Sequence, residues 1–181
     1  MYSKRLLIVS VLILLQGCQT PKYNWGLKDD NELCYRLDDF GQAHEEKYGV
    51  KLFLVGNVAK NATYCIVFTS ERELHLDEGK TLAISLYQEF LQMCTTDPIV
   101  TGYAKKFTKG SWPLDETPRP ENVGLKIAFW DNEINRPPAP YLSEILVENG
   151  TFHYYEAVPD TQALQLVFKE SYEEAIARLP N

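Results

Sequence analysis

Apolar and polar positions alternate through the last third of the chain at the two-residue period of a strand. Leu125, Ile127 and Phe129 alternate with Lys126 and Ala128, which predicts a half-buried strand. Residues 141–148 and 151–157 flank Asn149-Gly150. Asn-Gly supplies the two positive-φ residues of a type I′ turn, so a β-hairpin is expected there. Residues 162–169 read as a further strand with Leu164, Leu166 and Phe168 on one face, and Ser171-Tyr172-Glu173-Glu174 reads as a capping box opening a terminal helix that Pro180 ends.

The first half of the chain carries the same signature less cleanly. Residues 32–37, 50–55 and 64–69 are short runs rich in β-branched and aromatic residues, and the polar stretch 38–47 separates the first two. Residues 81–94 fit two periods: Leu82, Leu86 and Phe90 recur at helical spacing, whereas Leu82, Ile84 and Leu86 alternate as in a strand. Strand is the expectation for 81–87, because Asp77-Glu78-Gly79-Lys80 looks like a turn and the flanking runs are β; helix is the alternative. Residues 98–124, with Trp112-Pro113 and Pro118-Arg119-Pro120, read as a long surface excursion around a short strand at 100–107. Many short strands and one late helix predict a mainly β fold, a single antiparallel β-sandwich or curled sheet with a short C-terminal helix.

The start of the chain obeys different rules. Lys4 and Arg5 precede a ten-residue apolar run, 6–15, that ends in Leu15-Gln16-Gly17-Cys18. A basic start and a short apolar stretch fit a secretory signal, whereas a membrane span needs about 20 apolar residues. The small residue followed by cysteine resembles the lipobox, which is cut before a diacylglyceryl-modified cysteine. The expected organisation is a lipoprotein signal peptide at 1–17, lipidated Cys18 with a tether to residue 30, and a periplasmic β-rich domain at 31–181. By resemblance to enterobacterial lipoproteins, Gln19 in place of aspartate directs the protein to the outer membrane. Several acyl chains, at about 0.8 kcal/mol per buried CH₂, would hold it there firmly.

Charge and reactive residues narrow the function classes. Cleavage before Cys18 removes 17 of the 181 residues and two cations, leaving 164 residues and moving the net charge from −7 to −9. An acidic chain is a poor ligand for nucleic acid, which is held by clustered Lys and Arg. Solubility or a basic protein partner both fit such a charge. Cys34, Cys65 and Cys94 allow three pairings in an oxidising periplasm; Cys34 with Cys65 is favoured because both fall in predicted strands. No CxxC, no histidine pair, no GxSxG elbow and no phosphate loop occurs, so neither metal nor cofactor nor catalytic residue is expected. His44, His75 and His153 read as surface or sheet histidines, and the pairs Asp38-Asp39, Glu45-Glu46 and Glu173-Glu174 as solvated faces. Trp112, between Ser111 and Pro113, is the candidate exposed anchor for a partner.

The lipobox, the runs Asn31-Glu32-Leu33-Cys34-Tyr35-Arg36 and Thr63-Tyr64-Cys65-Ile66, and the strand-turn-strand near the C-terminus together resemble a group of small enterobacterial β-rich lipoproteins, the type VI secretion immunity periplasmic lipoproteins. The resemblance implies a non-catalytic protein that binds and blocks a toxic effector in the periplasm. A structural or assembly lipoprotein of the outer membrane is the alternative that the anchor and acidic domain alone imply. Cys18→Ser is expected to leave an unlipidated precursor that is lost from the outer-membrane fraction. Metabolic labelling with a fatty-acid analogue checks this, and equal labelling of both proteins would refute it.

Overall fold

A computed structural model of the chain describes residues 28–55, 64–101, 118–130 and 135–179. Along it run α1 (Lys28–Tyr48), β1 (Lys51–Val55), β2 (Tyr64–Ser70), α2 (Leu76–Thr96), β3 (Val123–Phe129), β4 (Leu142–Glu148), β5 (Thr151–Ala157), β6 (Leu164–Ser171) and α3 (Tyr172–Ala177). The strands form a six-stranded sheet in the order β1-β2-β3-β4-β5-β6. Every neighbouring pair is antiparallel except β2 with β3, which is parallel from Tyr64↔Val123 to Ser70↔Phe129. The β-rich expectation and the late helix hold. The second layer, however, is made of helices and not of a second sheet, and the sheet is open and mixed.

Two expected elements differ in kind. Residues 32–37 are not a strand but the second and third turns of α1. Leu33, Leu37 and Phe40 are buried at i, i+4 and i+7, so one stripe of the helix faces the core. Glu32, Asp39, Gln42 and Glu46 lie exposed on its other side. Residues 38–47 therefore continue the same helix, with Asp39, Gln42 and Glu46 on its solvated side and Phe40 and Gly41 buried. α1 also begins at Lys28, inside the stretch expected to be tether. Residues 81–87 belong to α2, where Leu82, Leu86, Tyr87, Phe90 and Cys94 are buried at helical spacing. The apparent turn 77–80 is the start of this helix: His75 N–H bonds to Glu78 Oε2 at 3.0 Å in a capping box, and Asp77 and Glu78 suit the positive end of the helix dipole. Residues 98–101 are helical, and the rest of the strand expected at 100–107 lies outside the described residues.

The C-terminal half follows its sequence pattern. Asn149 and Gly150 take φ of 50° and 67°, and the hairpin register runs from Glu148↔Thr151 to Leu142↔Glu156. Ser171 Oγ accepts from Glu174 N–H at 3.2 Å while Glu174 Oε2 accepts from Ser171 N–H at 2.7 Å, which starts α3. In β6 the register shifts opposite Tyr154 and Tyr155. Leu166 and Phe168 therefore fall on different faces: Phe168 packs against the main core, and Leu166 is 45% exposed.

One main core lies between helices and sheet. Tyr64, Phe68, Tyr87, Phe90, Phe129, Phe152 and Tyr154 are all fully buried there, and burying one such side chain contributes about 1.5–3 kcal/mol. α1 packs on β1 and β2, α2 on β3 and β4, and α3 on α2 and β6. Gly79 lets α2 approach β4 closely, since a Cβ there would sit 2.1 Å from Leu142 Cδ1. The buried phenol of Tyr87 donates to the carbonyls of Pro120 and Val123, both at 3.1 Å. Buried Glu170 accepts from Tyr154 OH at 3.0 Å and from Arg178 Nε at 3.0 Å. On the opposite face a small cluster of Cys65, Val67 and Leu54 adjoins the Lys126–Glu144 ion pair at 2.8 Å.

Gly150 has ordinary clearance for a Cβ, with Pro120 at 3.6 Å, so its positive φ is the constraint. Gly150→Val is expected to destabilise the protein by about 1–3 kcal/mol. A chemical-denaturation midpoint equal to that of the native chain would show that the turn does not depend on this conformation.

Candidate functional site

The outward face of α2 carries Ser85, Gln88, Glu89, Gln92 and Thr95, spaced three or four residues apart apart from the adjacent Gln88 and Glu89. Helical geometry puts them on one strip. Lys47 and Tyr48, at the end of α1, line one part of the concavity over this strip, and Tyr172, the first residue of α3, lines another. The result is an open trough of about 720 Å³. A shallower concavity of about 370 Å³ adjoins it, lined by Phe40, His44, Glu89, Gln92, Met93, Thr96 and Asp97. Glu89 lies on both.

Three donors from α1 converge on Glu89. Lys47 Nζ donates to Oε1 at 2.6 Å, Tyr48 OH to the same oxygen at 2.5 Å, and His44 Nε2 lies 2.9 Å from Oε2. His44 Nδ1 faces the carbonyl oxygen of Phe40 at 2.7 Å. Burial pushes the Glu89 carboxyl up, but the bonds from Lys47, Tyr48 and His44 outweigh it and hold the group below the usual carboxylate range. Burial, then the bond to Glu89, pushes the Tyr48 phenol up. Lys47 is pushed up chiefly by its bond to Glu89. The cluster is thus an ionised carboxylate saturated with donors, suited to fastening α1 to α2 and ill suited to giving up a proton.

The remainder of the trough is different in chemistry. Ser85, Gln88 and Gln92 have no side-chain hydrogen bond to any described residue. Thr95 Oγ1 donates back to its own helix, 3.0 Å from Leu91 O. Tyr172 is held from below by an edge contact with Tyr87, ring centroids 5.6 Å apart, and its backbone N–H donates to Gly150 O at 2.9 Å. The hairpin turn therefore sets the position of this wall.

The residues singled out in the sequence are scattered. Cys18 and Trp112 lie outside the described residues. Cys34 is half-buried on α1 against the main core, whereas Cys65 is in β2 and faces the other side of the sheet. The expectation that the two pair assumed a strand at each; only Cys65 is in one, and no disulfide joins Cys34, Cys65 and Cys94 among the described residues. Cys94 is fully buried on α2, and burial pushes its thiol well up, away from the thiolate form. His75 is the N-cap of α2 and packs on Tyr141, centroids 4.8 Å apart. His153 Nδ1 is 3.8 Å from Glu148 Oε1. Ser85 is on a helix and not in the strand expected, while Ser143 is in β4 with its Oγ bonded to Pro137 O at 3.2 Å. Of the acid pairs, Glu45 accepts from Leu52 N–H at 2.7 Å and Asp38 from Gln42 Nε2 at 2.7 Å. Among the described residues no group of three His, Cys, Asp or Glu could hold a metal ion.

Glu89 and its partners escaped notice in the sequence because their spacing is meaningful only on helices. His44, Lys47 and Tyr48 stand at i, i+3 and i+4, a signal available once 38–47 is read as helical. No known family profile, no curated protein and no solved structure matches this chain.

Glu89→Gln is expected to cost about 1 kcal/mol at neutral pH, a figure discounted for the partial exposure of the carboxylate. Because the folded-state pKa is depressed, the native group stabilises the fold above its ordinary value of 4.5 and loses that contribution as pH falls through the folded value. Thermal unfolding against pH should therefore show the difference between the two proteins shrinking in acid. A difference that stays constant down to strong acid would refute the assignment.

Proposed function

We propose that the protein is a lipoprotein held on the periplasmic side of the outer membrane by lipid on Cys18, and that its domain binds a protein partner. In the specific form that the resemblance implies, it is an immunity protein and the partner is a secreted toxic effector. The observation that carries the binding reading is apolar surface left in water at both edges of the sheet. On β6, an edge strand, Leu166 and Val167 are 45% and 39% exposed; on β1, the other edge, Phe53 is 53% exposed, and Tyr35 on the adjoining α1 is 66% exposed. Single exposed apolar residues are ordinary. Consecutive ones on an edge strand, beside backbone groups without a neighbouring strand among the described residues, are a surface to which another chain can add.

The anchoring part of the reading rests on the run 6–15 and the Leu15 to Cys18 box. Among the described residues no helix is long and apolar enough to cross a membrane. The ends of the expected excursion are not surface loop, since 98–101 are helical, β3 starts at Val123, and Val100 and Val123 are buried; Trp112, in the stretch 102–117 outside the described residues, remains the proposed anchor.

The reading is tested with the intact lipoprotein in detergent. Capture from envelopes of cells attacked by a competitor should retrieve an effector, and cells lacking the lipoprotein should be killed by it. Trp112→Ala should weaken the complex by about 2 kcal/mol or more with the melting temperature preserved. Deletion that leaves sensitivity to effectors unchanged and only makes the envelope leaky would favour the structural or assembly lipoprotein instead.

A further inference from the structure

We infer that the trough across α2 is a binding site for a neutral oligosaccharide. The protein carries a net charge of −7, yet the trough lining holds one cation, Lys47, and one anion, Glu89, paired with each other at 2.6 Å. Neither charge is left to select an ion of opposite sign, so the ligand is uncharged. What remains is a line of hydroxyl and amide groups, Ser85, Gln88, Gln92 and Thr95, with the partly buried Leu91 among them and a tyrosine from α1 and another from α3 beside it. Each glutamine amide offers two donors and an acceptor, and a sugar hydroxyl is both donor and acceptor. Neighbouring hydroxyls on a ring can therefore be gripped by one amide. Tyrosine supplies an apolar face with a polar tip, which suits the C–H faces of sugar rings.

The alternative uncharged ligand is an extended peptide, and the backbone argues against it. A peptide that adds as an extended strand is held chiefly by main-chain hydrogen bonds to a sheet edge. Here the floor is the interior of a helix, whose N–H and C=O groups are already bonded along the helix, and only side chains are offered. The floor from Ser85 to Thr95 spans ten helical steps, about 15 Å at 1.5 Å per residue, which accommodates a short chain of rings. None of the residues that line it is among the exposed apolar residues of the sheet edges, so its test is separate from that of the protein-binding reading.

The experiment titrates the full-length protein, in a detergent without a sugar headgroup, with maltotetraose, chitotetraose and tetra-alanine, followed by calorimetry. Saturable binding of at least one sugar, with an affinity of about 1 mM, supports the site. The double variant Gln88→Ala, Gln92→Ala should weaken it about tenfold or more with an unchanged melting temperature. Gln92→Ala alone, at an exposed position, gives a second reading if the double variant is unstable, and a loss of several-fold is expected. The inference is overturned if neither sugar saturates, if these variants bind as well as the native chain, or if tetra-alanine binds as tightly as the sugars.

Discussion

The parallel pairing of β2 with β3 is the constraint on which the rest of the architecture depends. Antiparallel neighbours can be joined by a turn, but a parallel pair obliges the chain to travel back along the sheet before it starts the second strand. α2 lies within that return path, and its buried stripe from Gly79 to Cys94 covers the central strands as it passes. Once it is there, the helix layer exists, and α1 can bury Leu33, Leu37 and Phe40 beside it over β1 and β2. Tyr87 then ties the crossover to the strand it leads into, through the carbonyls of Pro120 and Val123. A buried phenol with two acceptors satisfied in this way secures the entry to β3 without an unpaired polar group in the core.

The same crossover creates the polar seam. A helix packed on a sheet buries one stripe and leaves the other in water, and α2 turns Ser85, Gln88, Glu89 and Gln92 outward. α1 and α3 border this strip because each is itself fastened to a sheet strand, α1 next to β1 and α3 directly after β6. Glu89 joins the two long helices by saturating its carboxylate with donors from His44, Lys47 and Tyr48. Such partly exposed bonds contribute modestly compared with the aromatic core. Their effect is to set the spacing of the helices, and with it the width of the trough.

The C-terminal strands and α3 were legible because their signals are local. Asn149-Gly150 specifies a turn through its own backbone preferences, and Ser171 with Glu174 specifies a helix start through bonds spanning one turn. α1 and α2 were not. Leu33, Leu37 and Phe40 are few apolar residues in a polar stretch, and the strand-like run 32–37 obscured their spacing. In 81–94 both periods were present, and the neighbouring β runs favoured the wrong one. The parallel crossover, which needs a helix there, is a long-range fact that no window of the sequence contains. The trough was hidden for the same reason, since its lining comes from three helices whose contributions, 47–48, 85–95 and 172, are far apart in the chain.

By itself, then, the sequence determined the strands that alternate or are rich in β-branched residues, the hairpin turn, the capping box and the acidic balance of the chain. These depend on interactions between residues a few positions apart, or on composition alone. Only the tertiary structure decided that residues 32–37 and 81–87 are helical, that Cys34 and Cys65 face different sides of the sheet, that a register shift separates Leu166 from Phe168, and that His44, Lys47 and Tyr48 meet Glu89. Each of these is settled by what packs against the segment: local propensity differs between helix and strand by a few tenths of a kcal/mol per residue, roughly, and burying one aromatic side chain against the right partner outweighs several such preferences.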